Sequence, residues 1–391
     1  MFRATANLIL PTTVTGSLPR PAWFTEALHG RIFSVAMSDL VFREQYSDAV
    51  AVTISDQERA GLDILVDGDS RFDPDVAGRS WFAYVTERLQ GVSPPELRAQ
   101  ALVSNRDKQP GDILFEVAET RLSPTAIAKV AHGPLEYDRL WKVAQRASDK
   151  PVKFGIISGQ IVEAVLANAH YEDRRDLVID LSRSLNEEYH ALADAGCPVI
   201  QVEEPEIHET LGVHDDPVMT PDFYVKAFNL EVAGLRDKTE IWCHTCWGSP
   251  AAQRVEYEQL SYGPSLPYFD QLDVDVLTFE TADNGGVDLE AIGRGIGKDK
   301  KICIGVVSHR TLAVERPEQV AALIRKALQY IGPERLILST DCGFGRQGMS
   351  RMHAFYKMVA IVRGTNIVRR ELGLGEAPIR AADPRYSLML T

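Results

Sequence analysis

The chain has 391 residues, of which 45% are hydrophobic and 25% are charged, a composition that excludes disordered and fibrous proteins. Its 42 basic and 55 acidic side chains give a net charge of -13, which disfavours nucleic acid and anionic membranes as partners. No apolar run is long enough for a membrane span or a signal peptide, and the five cysteines favour thiols or metal ligands over disulfides. We therefore expect a cytoplasmic protein.

Eight segments combine a β-branched apolar run with an abrupt polar end, which is typical of buried parallel strands. Between them lie helix-like stretches with apolar residues three or four positions apart, for example Arg174–Ala195, Pro221–Leu235, Pro317–Ile331 and Met352–Leu372. The pattern predicts an α/β fold, a (β/α)8 TIM-type barrel; two doubly wound domains are the alternative. The predicted strands are Thr12–Ser17, Asp63–Asp69, Val152–Ser158, Pro198–Glu204, Glu240–Cys246, Val274–Glu280, Lys301–His309 and Arg335–Cys342.

The stretch from 70 to about 150 is much longer than one crossover helix requires. Its mixed polar and apolar content predicts an insertion after the second strand, near the barrel mouth. We find no low-complexity tract or flexible linker, so the sequence predicts a single catalytic barrel domain over residues 1–391.

The segment CHTCWG at the end of the fifth predicted strand carries ligand-type side chains. Positions i and i+2 of a strand share a face, so His244 and Cys246 can bind one ion while Cys243 points to the other side. Zinc suits such an imidazole and thiolate pair. Glu280 and Cys342 end neighbouring predicted strands, whose carboxyl ends converge on the same rim of a barrel. A loop carboxylate and a buried thiol are the alternative interpretations of these two residues.

Seven motifs of the chain resemble the cobalamin-independent methionine synthase family, in particular its C-terminal catalytic barrel and its single-barrel relatives. They are TGSLPRP, LVDGDSRFD, IQVEEPE, HTCWG, LTFETAD, GVVSHRTL and LILSTDCGFGR, and they span nearly the whole length apart from the insertion. The resemblance implies that a zinc ion is the cofactor and that the substrate thiol binds it during turnover. The implied ligands are His244, Cys246, Glu280 and Cys342.

The charge of such a ligand set disfavours a hydrolase. Two thiolates and one carboxylate carry one more negative charge than Zn²⁺ balances, so the ion acidifies bound water poorly. An electron-rich zinc instead holds a thiol as a nucleophilic thiolate near neutral pH, which alkyl transfer to sulfur requires.

The resemblance also implies substrate-binding residues on other strand ends. Ser17 falls where the family holds the substrate carboxylate, and Asp69 and Glu203 fall where it holds the ammonium. This chain has Gly68-Asp69 where the synthases have Gly-Glu, and it has Glu203-Glu204-Pro205 where they have Asp-Glu-Pro. Each difference moves a carboxylate by about one methylene, so homocysteine is not assured as the acceptor.

Other residues of the predicted rim are candidates for catalysis or binding. His309 resembles the family histidine proposed as the acid that protonates the leaving amine, although a structural role is an alternative. Arg20 and Arg71 can hold an anionic substrate group by bidentate contacts, and surface ion pairs are the alternative. Trp247 can stack on a flat ligand such as a pterin, or can simply pack in the core.

The leading hypothesis is therefore zinc-dependent alkyl transfer, in particular methyl transfer, to a small thiol such as homocysteine. The alternative is an enzyme like the epoxyalkane:coenzyme M transferases, in which a zinc-bound thiolate opens an epoxide. A structural zinc site and a zinc-free barrel of the uroporphyrinogen decarboxylase kind are further alternatives. The two-barrel synthases use an N-terminal barrel to help bind folate, and this sequence shows no counterpart. The donor is accordingly left open among methyltetrahydrofolate, a corrinoid protein and an epoxide.

Overall fold

The computed structural model describes residues 2–72, 80–93, 96–100, 121–203, 206–211, 216–248, 261–345 and 348–382. Glu204 and Pro205, which the sequence analysis singled out, lie outside these residues. The strands are β1 (Leu65–Val66), β2 (Gln90–Val92), β3 (Glu96–Gln100), β4 (Arg121–Ser123), β5 (Thr125–Ala131), β6 (Val152–Ile157), β7 (Ala167–Asn168), β8 (Val199–Glu203), β9 (Glu240–Thr245), β10 (Val276–Phe279), β11 (Lys301–Val307) and β12 (Leu336–Thr340).

Seven of these strands form a parallel sheet in the order β1-β6-β8-β9-β10-β11-β12. The first predicted strand, Thr12–Ser17, contributes only a short bridge, in which Thr12 pairs with Leu338 of β12. The carbonyl of Thr12 also accepts the backbone N–H groups of Asp63 and Ile64, just before β1. The segment thus links the two edges of the curled sheet. The predicted α/β barrel architecture is confirmed.

The helices lie between the strands and pack on the sheet. Several begin at a side chain that accepts a backbone N–H of the first turn, as in N-capped helices: Asp39, Ser158, Asp173, Thr220 and Ser350. The α-helices are Phe33–Ala36, Leu40–Ala60, Ser80–Thr86, Tyr137–Gln145, Gly159–Val165, Arg174–Asp194, Glu206–Glu209, Pro221–Glu231, Leu266–Phe269, Leu289–Gly295, Pro317–Ala327 and Arg351–Glu371, with 3-10 turns at Gly263–Ser265 and Arg380–Ala382. None of the helices in the described ranges is both long enough and apolar enough to traverse a lipid bilayer.

Strands β2 to β5, in the predicted insertion, take part in two small sheets, one of which also includes the later strand β7. Strands β2, β5 and β7 form one, and β3 and β4 form the other. Helix Tyr137–Gln145 packs against Arg174–Asp194 and therefore belongs to the helical layer of the barrel. The boundary of the insertion near position 150 stays a prediction.

The interior of the barrel has an apolar floor. It contains the buried side chains of Ile64, Val199, Trp242, Val276, Cys303 and Ile337. Side chains two or four positions further along a strand face the same side. Glu203 lies four positions after Val199, and His244 lies two positions after Trp242, so both side chains face the interior near the mouth of the barrel. Strands β8 and β9 place the two residues side by side in register.

Candidate metal centre

Three of the four predicted metal ligands meet at the carboxyl ends of β9 and β12. The ligand atoms of His244, Cys246 and Cys342 all lie within 4.8 Å of one another, and all three residues are buried. Cys246 Sγ donates to Cys342 Sγ at a separation of 3.6 Å. Two thiolates that bind one zinc ion tetrahedrally at about 2.3 Å stand roughly 3.8 Å apart. The sulfur separation therefore fits a shared ion.

His244 lacks the partners that a buried imidazole needs. Neither ring nitrogen has a hydrogen-bond partner among the described residues. The Nδ1 atom lies 3.4 Å from Oε1 of Glu203, a charge contact without hydrogen-bond geometry. An unsatisfied buried polar atom costs free energy. The two unpaired ring nitrogens of His244 therefore favour a bound ligand. The donor set of one imidazole and two thiols is the one that zinc prefers.

The electrostatics of the three residues favour a thiolate at the centre. Burial lowers the pKa of His244, but its contacts with Cys342 and Glu203 outweigh burial and raise the pKa to about 10. The hydrogen bond from Cys246 lowers the pKa of the Cys342 thiol, and His244 lowers it further. The same hydrogen bond raises the pKa of Cys246, with burial adding to the effect. The lowered pKa favours the thiolate form of Cys342, which is the form that binds a metal ion.

Glu280, the fourth predicted ligand, has a different position. Its carboxylate belongs to a second group, in which ligand atoms of Glu280, His309 and Asp341 lie within 4.8 Å of one another. Oε1 accepts the Nε–H of Arg310 at 2.7 Å, and Oε2 accepts the backbone N–H of Trp247 at 2.8 Å. The structure therefore does not bring Glu280 into the group formed by the other three. Arg310, directly after His309, was missed because a loop arginine has no distinctive sequence pattern.

His309 lies at the end of β11, beside the metal ligands. Its Nε2 is 2.9 Å from the carbonyl oxygen of Gly248, so Nε2 carries a proton and donates it to that oxygen. Its Nδ1 has no hydrogen-bond partner in the described part of the chain. The charge of His309 is one of the effects that lower the pKa of Cys342. The geometry leaves Nδ1 as the nitrogen that can exchange a proton with a ligand.

Asp341 fixes the loop after β10, although the sequence analysis did not select it. Its Oδ1 accepts the backbone N–H groups of Thr281 and Ala282 at 2.8 Å, and its Oδ2 accepts that of Asp283 at 3.0 Å. A Cβ atom at Gly305 would stand 1.9 Å from Oδ1, so the glycine of β11 makes room for this carboxylate. Its position directly before Cys342 was the available signal.

A cavity beside Cys342 brings together four of the predicted substrate residues. Counted with its open mouth, it has a volume of about 420 Å³. Ser17 stands next to Cys342 in it because the glycines of both loops approach closely: a Cβ atom at Gly343 would lie 2.5 Å from the backbone nitrogen of Ser17. The predicted residues that line the cavity are Ser17, Asp69, Arg71, Glu203 and Cys342.

Arg71 and Asp69 hold each other within this cavity wall. The Arg71 guanidinium donates to Asp69 Oδ1 at 2.8 Å and to the Gly155 carbonyl at 2.8 Å, and its side chain is only 3% exposed. Burial raises the pKa of Asp69 to about 7; Arg71 opposes this shift, whereas the charges of Asp67 and Glu203 add to it. Arg71 is thus held by Asp69 and by the Gly155 carbonyl, and Glu203 adds a second carboxylate to the cavity wall.

Two predicted substrate residues do not line the cavity. Arg20 donates to the carbonyl of Glu26 at 2.7 Å and stacks on the ring of Phe24 at 3.4 Å. The buried indole of Trp247 packs in an aromatic cluster, with ring centroids 4.4 Å from His208 and 5.1 Å from Tyr262. Trp247 thus contacts this aromatic cluster and does not line the cavity.

Comparisons with known proteins show the family of the chain. The family model described as "Cobalamin-independent synthase, Catalytic domain" matches residues 10–363. The methionine synthase of Saccharolobus solfataricus is 30% identical over 366 residues, which is 93% of this chain and 96% of that protein.

Two solved structures share the fold. The B12-independent methionine synthase from Shewanella sp. W3-18-1, in complex with selenomethionine, superposes with a TM-score of 0.74 at 23% identity and covers 93% of this chain and 99% of its own. The putative vitamin-B12 independent methionine synthase from Listeria monocytogenes gives a TM-score of 0.66 at 17% identity, with the same coverage of 93% and 99%.

Proposed function

Since the chain belongs to the cobalamin-independent methionine synthase family, we propose that it is a zinc-dependent transferase that places an alkyl group, in particular methyl, on the sulfur of homocysteine. One observation carries the proposal. The buried donor atoms of His244, Cys246 and Cys342 meet within 4.8 Å of one another, and Cys342 also lines the cavity. A structural zinc site is normally closed, whereas a catalytic one keeps an open position. The opening onto a cavity therefore favours catalysis.

His244, Cys246 and Cys342 are the residues that would hold the metal. When bound, zinc supplies a Lewis acid that keeps the substrate sulfur as a thiolate near neutral pH. The family resemblance also implies Glu280 as a ligand, and its carboxylate is paired with Arg310 at 2.7 Å.

The cavity wall supports recognition of an amino acid. The carboxylates of Asp69 and Glu203 line the same cavity; burial is the main cause of the raised pKa of Asp69, and the charges of Asp67 and Glu203 add to it. An ammonium group between them balances these charges and forms charge-assisted hydrogen bonds. Ser17, on the same wall, can donate its hydroxyl to the substrate carboxylate. Because Arg71 is held by Asp69 and Gly155, the wall offers less to a sulfonate, which disfavours coenzyme M as the thiol.

His309 supports the proton transfer that the donor half of the reaction needs. Its Nε2 is committed to the Gly248 carbonyl, so Nδ1 is the atom that would carry a proton to the leaving group. Methyltetrahydrofolate, a corrinoid protein and an epoxide stay open as the source of the alkyl group.

The test is calorimetric titration of the purified chain, with and without zinc, against homocysteine and coenzyme M. We expect homocysteine to bind only the zinc-loaded protein, and at least about tenfold more tightly than coenzyme M, because one charge-assisted hydrogen bond to the ammonium contributes about 1.5–3 kcal/mol. The matched control is 4-mercaptobutyrate, which is homocysteine without its amino group and should bind weakly. Tight, zinc-dependent binding of coenzyme M alone would show that the epoxyalkane transferase alternative is correct. A chain that binds no zinc under reducing conditions would refute both.

A further inference from the structure

The turn that follows β1 holds Asp69 in an unusual backbone conformation. Gly68 has a φ of 74° and Asp69 a φ of 54°, so both residues lie in the left-handed region. Glycine adopts this region freely, whereas an aspartate does so at a cost in free energy and needs contacts that hold it there. One contact comes from Asp67, whose Oδ1 accepts the backbone N–H of Asp69 at 3.0 Å. In this conformation the Asp69 side chain lines the cavity.

Arg71 restrains the carboxylate of Asp69. Its Nη1 donates to Asp69 Oδ1 at 2.8 Å and to Asp67 Oδ2 at 3.5 Å, and its Nη2 donates to the carbonyl oxygen of Gly155 at 2.8 Å. Gly155 belongs to β6, the neighbour of β1 in the sheet, so the guanidinium ties the turn after β1 to the next strand. A planar fork that donates from both of its terminal nitrogens has a defined orientation. Asp69 is therefore fixed relative to β6.

Four aromatic rings also contact the Arg71 guanidinium. Their centroids lie 4.7 to 5.8 Å from the guanidinium carbon, and the rings are those of Phe72, Tyr84, Tyr137 and Phe154. The Nε atom of Arg71 is buried and has no hydrogen-bond partner in the described part of the chain. Cation–π contacts stabilise the charge where hydrogen bonds do not. The rings and the two aspartates together enclose the guanidinium, which limits its movement.

We propose that Arg71 is a positioning residue: it fixes the Asp69 carboxylate as the acceptor for the substrate ammonium group and does not bind the substrate itself. The inference rests on the proposed function, in which Asp69 and Glu203 recognise the amino group. It differs from the direct contact with an anionic substrate group that the sequence predicts for Arg71. A substrate carboxylate that took Arg71 would have to displace Asp69 or Gly155 from a buried, charge-assisted hydrogen bond.

The pairing with Arg71 also favours the charge state of Asp69 that an ammonium group needs. Burial raises the pKa of the Asp69 carboxyl, and the charge of Arg71 is the largest influence that opposes this rise. Arg71 therefore favours the ionised carboxylate, which accepts hydrogen bonds from an ammonium group. A lysine at this position would keep the positive charge but could not reproduce the planar fork that reaches both Asp69 and Gly155. Arg71→Lys thus separates orientation from charge.

The experiment is calorimetric titration of the zinc-loaded full chain with homocysteine and with 4-mercaptobutyrate, which differ only in the amino group. For Arg71→Lys we expect the ratio of the two dissociation constants, which measures the preference for homocysteine, to fall at least about fivefold, because Asp69 loses its fixed orientation. Binding of 4-mercaptobutyrate should change less than about twofold, since this ligand has no group for Asp69. The matched control is Arg369→Lys. Arg369 is also buried and donates to a carboxylate, Asp63 at 2.7 Å, and to a carbonyl, Leu10 at 2.9 Å, and its substitution should leave the preference unchanged.

Equal weakening of both thiols in Arg71→Lys would overturn the proposal, because it would mean that Arg71 contacts the carboxylate that the two ligands share. An unchanged preference in the folded variant would overturn it as well. If Arg71→Lys does not fold, a crystal structure of the zinc-loaded wild-type protein with homocysteine decides: Arg71 on Asp69 is expected, and Arg71 on the substrate carboxylate overturns the inference. Failure of the proposed function looks different. In that case the wild-type protein binds no zinc, or binds the two thiols equally well.

Discussion

The two halves of the barrel mouth differ in how their polar atoms are satisfied. On the half built by β9 and β12, the ring nitrogens of His244 have no hydrogen-bond partner among the described residues, and the thiols of Cys246 and Cys342 pair with each other. On the half where Asp69, Arg71 and Glu203 line the cavity, Arg71 and Asp69 are already paired at 2.8 Å. The first half needs a ligand to be complete, whereas the second is preorganised by its own ion pair.

The largest effect is expected for a substitution that removes a predicted metal ligand and leaves the cavity half unchanged. Cys342→Ser replaces a thiolate ligand with a hydroxyl that does not ionise near pH 7, so we expect zinc affinity to fall by at least about 100-fold. The metal-free protein should keep its melting temperature within a few degrees, since Cys342 lies at the mouth and not in the floor. Chelator competition and thermal unfolding measure the two quantities.

Cys197→Ser is the matched control for this variant. Cys197 is also buried, and its Sγ donates to the carbonyl of Val199 at 3.2 Å, which a serine hydroxyl can replace. It should retain zinc fully. Full retention of zinc in Cys342→Ser would contradict the assignment of the metal half.

The strand ends of the metal half could be predicted from sequence because their signals are local. The i, i+2 spacing of His244 and Cys246 puts both side chains on one face of the fifth predicted strand, and an abrupt polar end after an apolar run locates Cys342. The helices Arg174–Asp194 and Pro317–Ala327 begin at their predicted residues for the same reason, since capping and apolar spacing are local properties.

Contacts between separate loops could not be predicted in this way. The pairing of Glu280 with Arg310 joins the loops after β10 and β11, and nothing in the spacing of the two residues distinguishes an ion pair from a metal ligand. Trp247 follows a ligand in sequence, yet its indole turns to the aromatic cluster with Tyr262. The segment at Thr12 was predicted as a full strand because its composition is that of a strand, but it forms only one bridge with Leu338.

On the cavity half we expect a smaller effect, a pH dependence of ligand binding that arises from Asp69. The pKa of Asp69 is raised from 3.8 to about 7, first by burial and then by the charges of Asp67 and Glu203, against the opposing charge of Arg71. An ammonium ligand needs the ionised carboxylate. We therefore expect methionine, whose sulfur does not titrate, to bind about tenfold more tightly at pH 8 than at pH 6.

Asp69→Asn should bind methionine weakly and without this pH dependence, and 4-(methylthio)butyrate, which has no amino group, should show none with the wild-type protein. The stability of the ligand-free protein should change with pH in the opposite direction to methionine binding. A carboxyl whose folded pKa is raised takes up a proton on folding, so the ligand-free protein should lose stability as the pH rises from about 4 to 7, and Asp69→Asn should lose less. Equal pH dependence of methionine binding in the variant and the wild type would show that another group is responsible.

The smallest effect is expected for a substitution in the apolar floor, which should change stability but not zinc binding. Cys303 is 0% exposed in β11 and packs in the apolar cluster with Val199 and Trp242. Cys303→Ala removes one buried sulfur atom, and the resulting void should lower the free energy of unfolding by about 1 kcal/mol. Zinc content should not change, because Cys303 packs in an apolar cluster that contains none of the predicted metal ligands. Urea unfolding together with metal analysis checks both values, and loss of zinc in this variant would mean that the floor and the metal half are not independent.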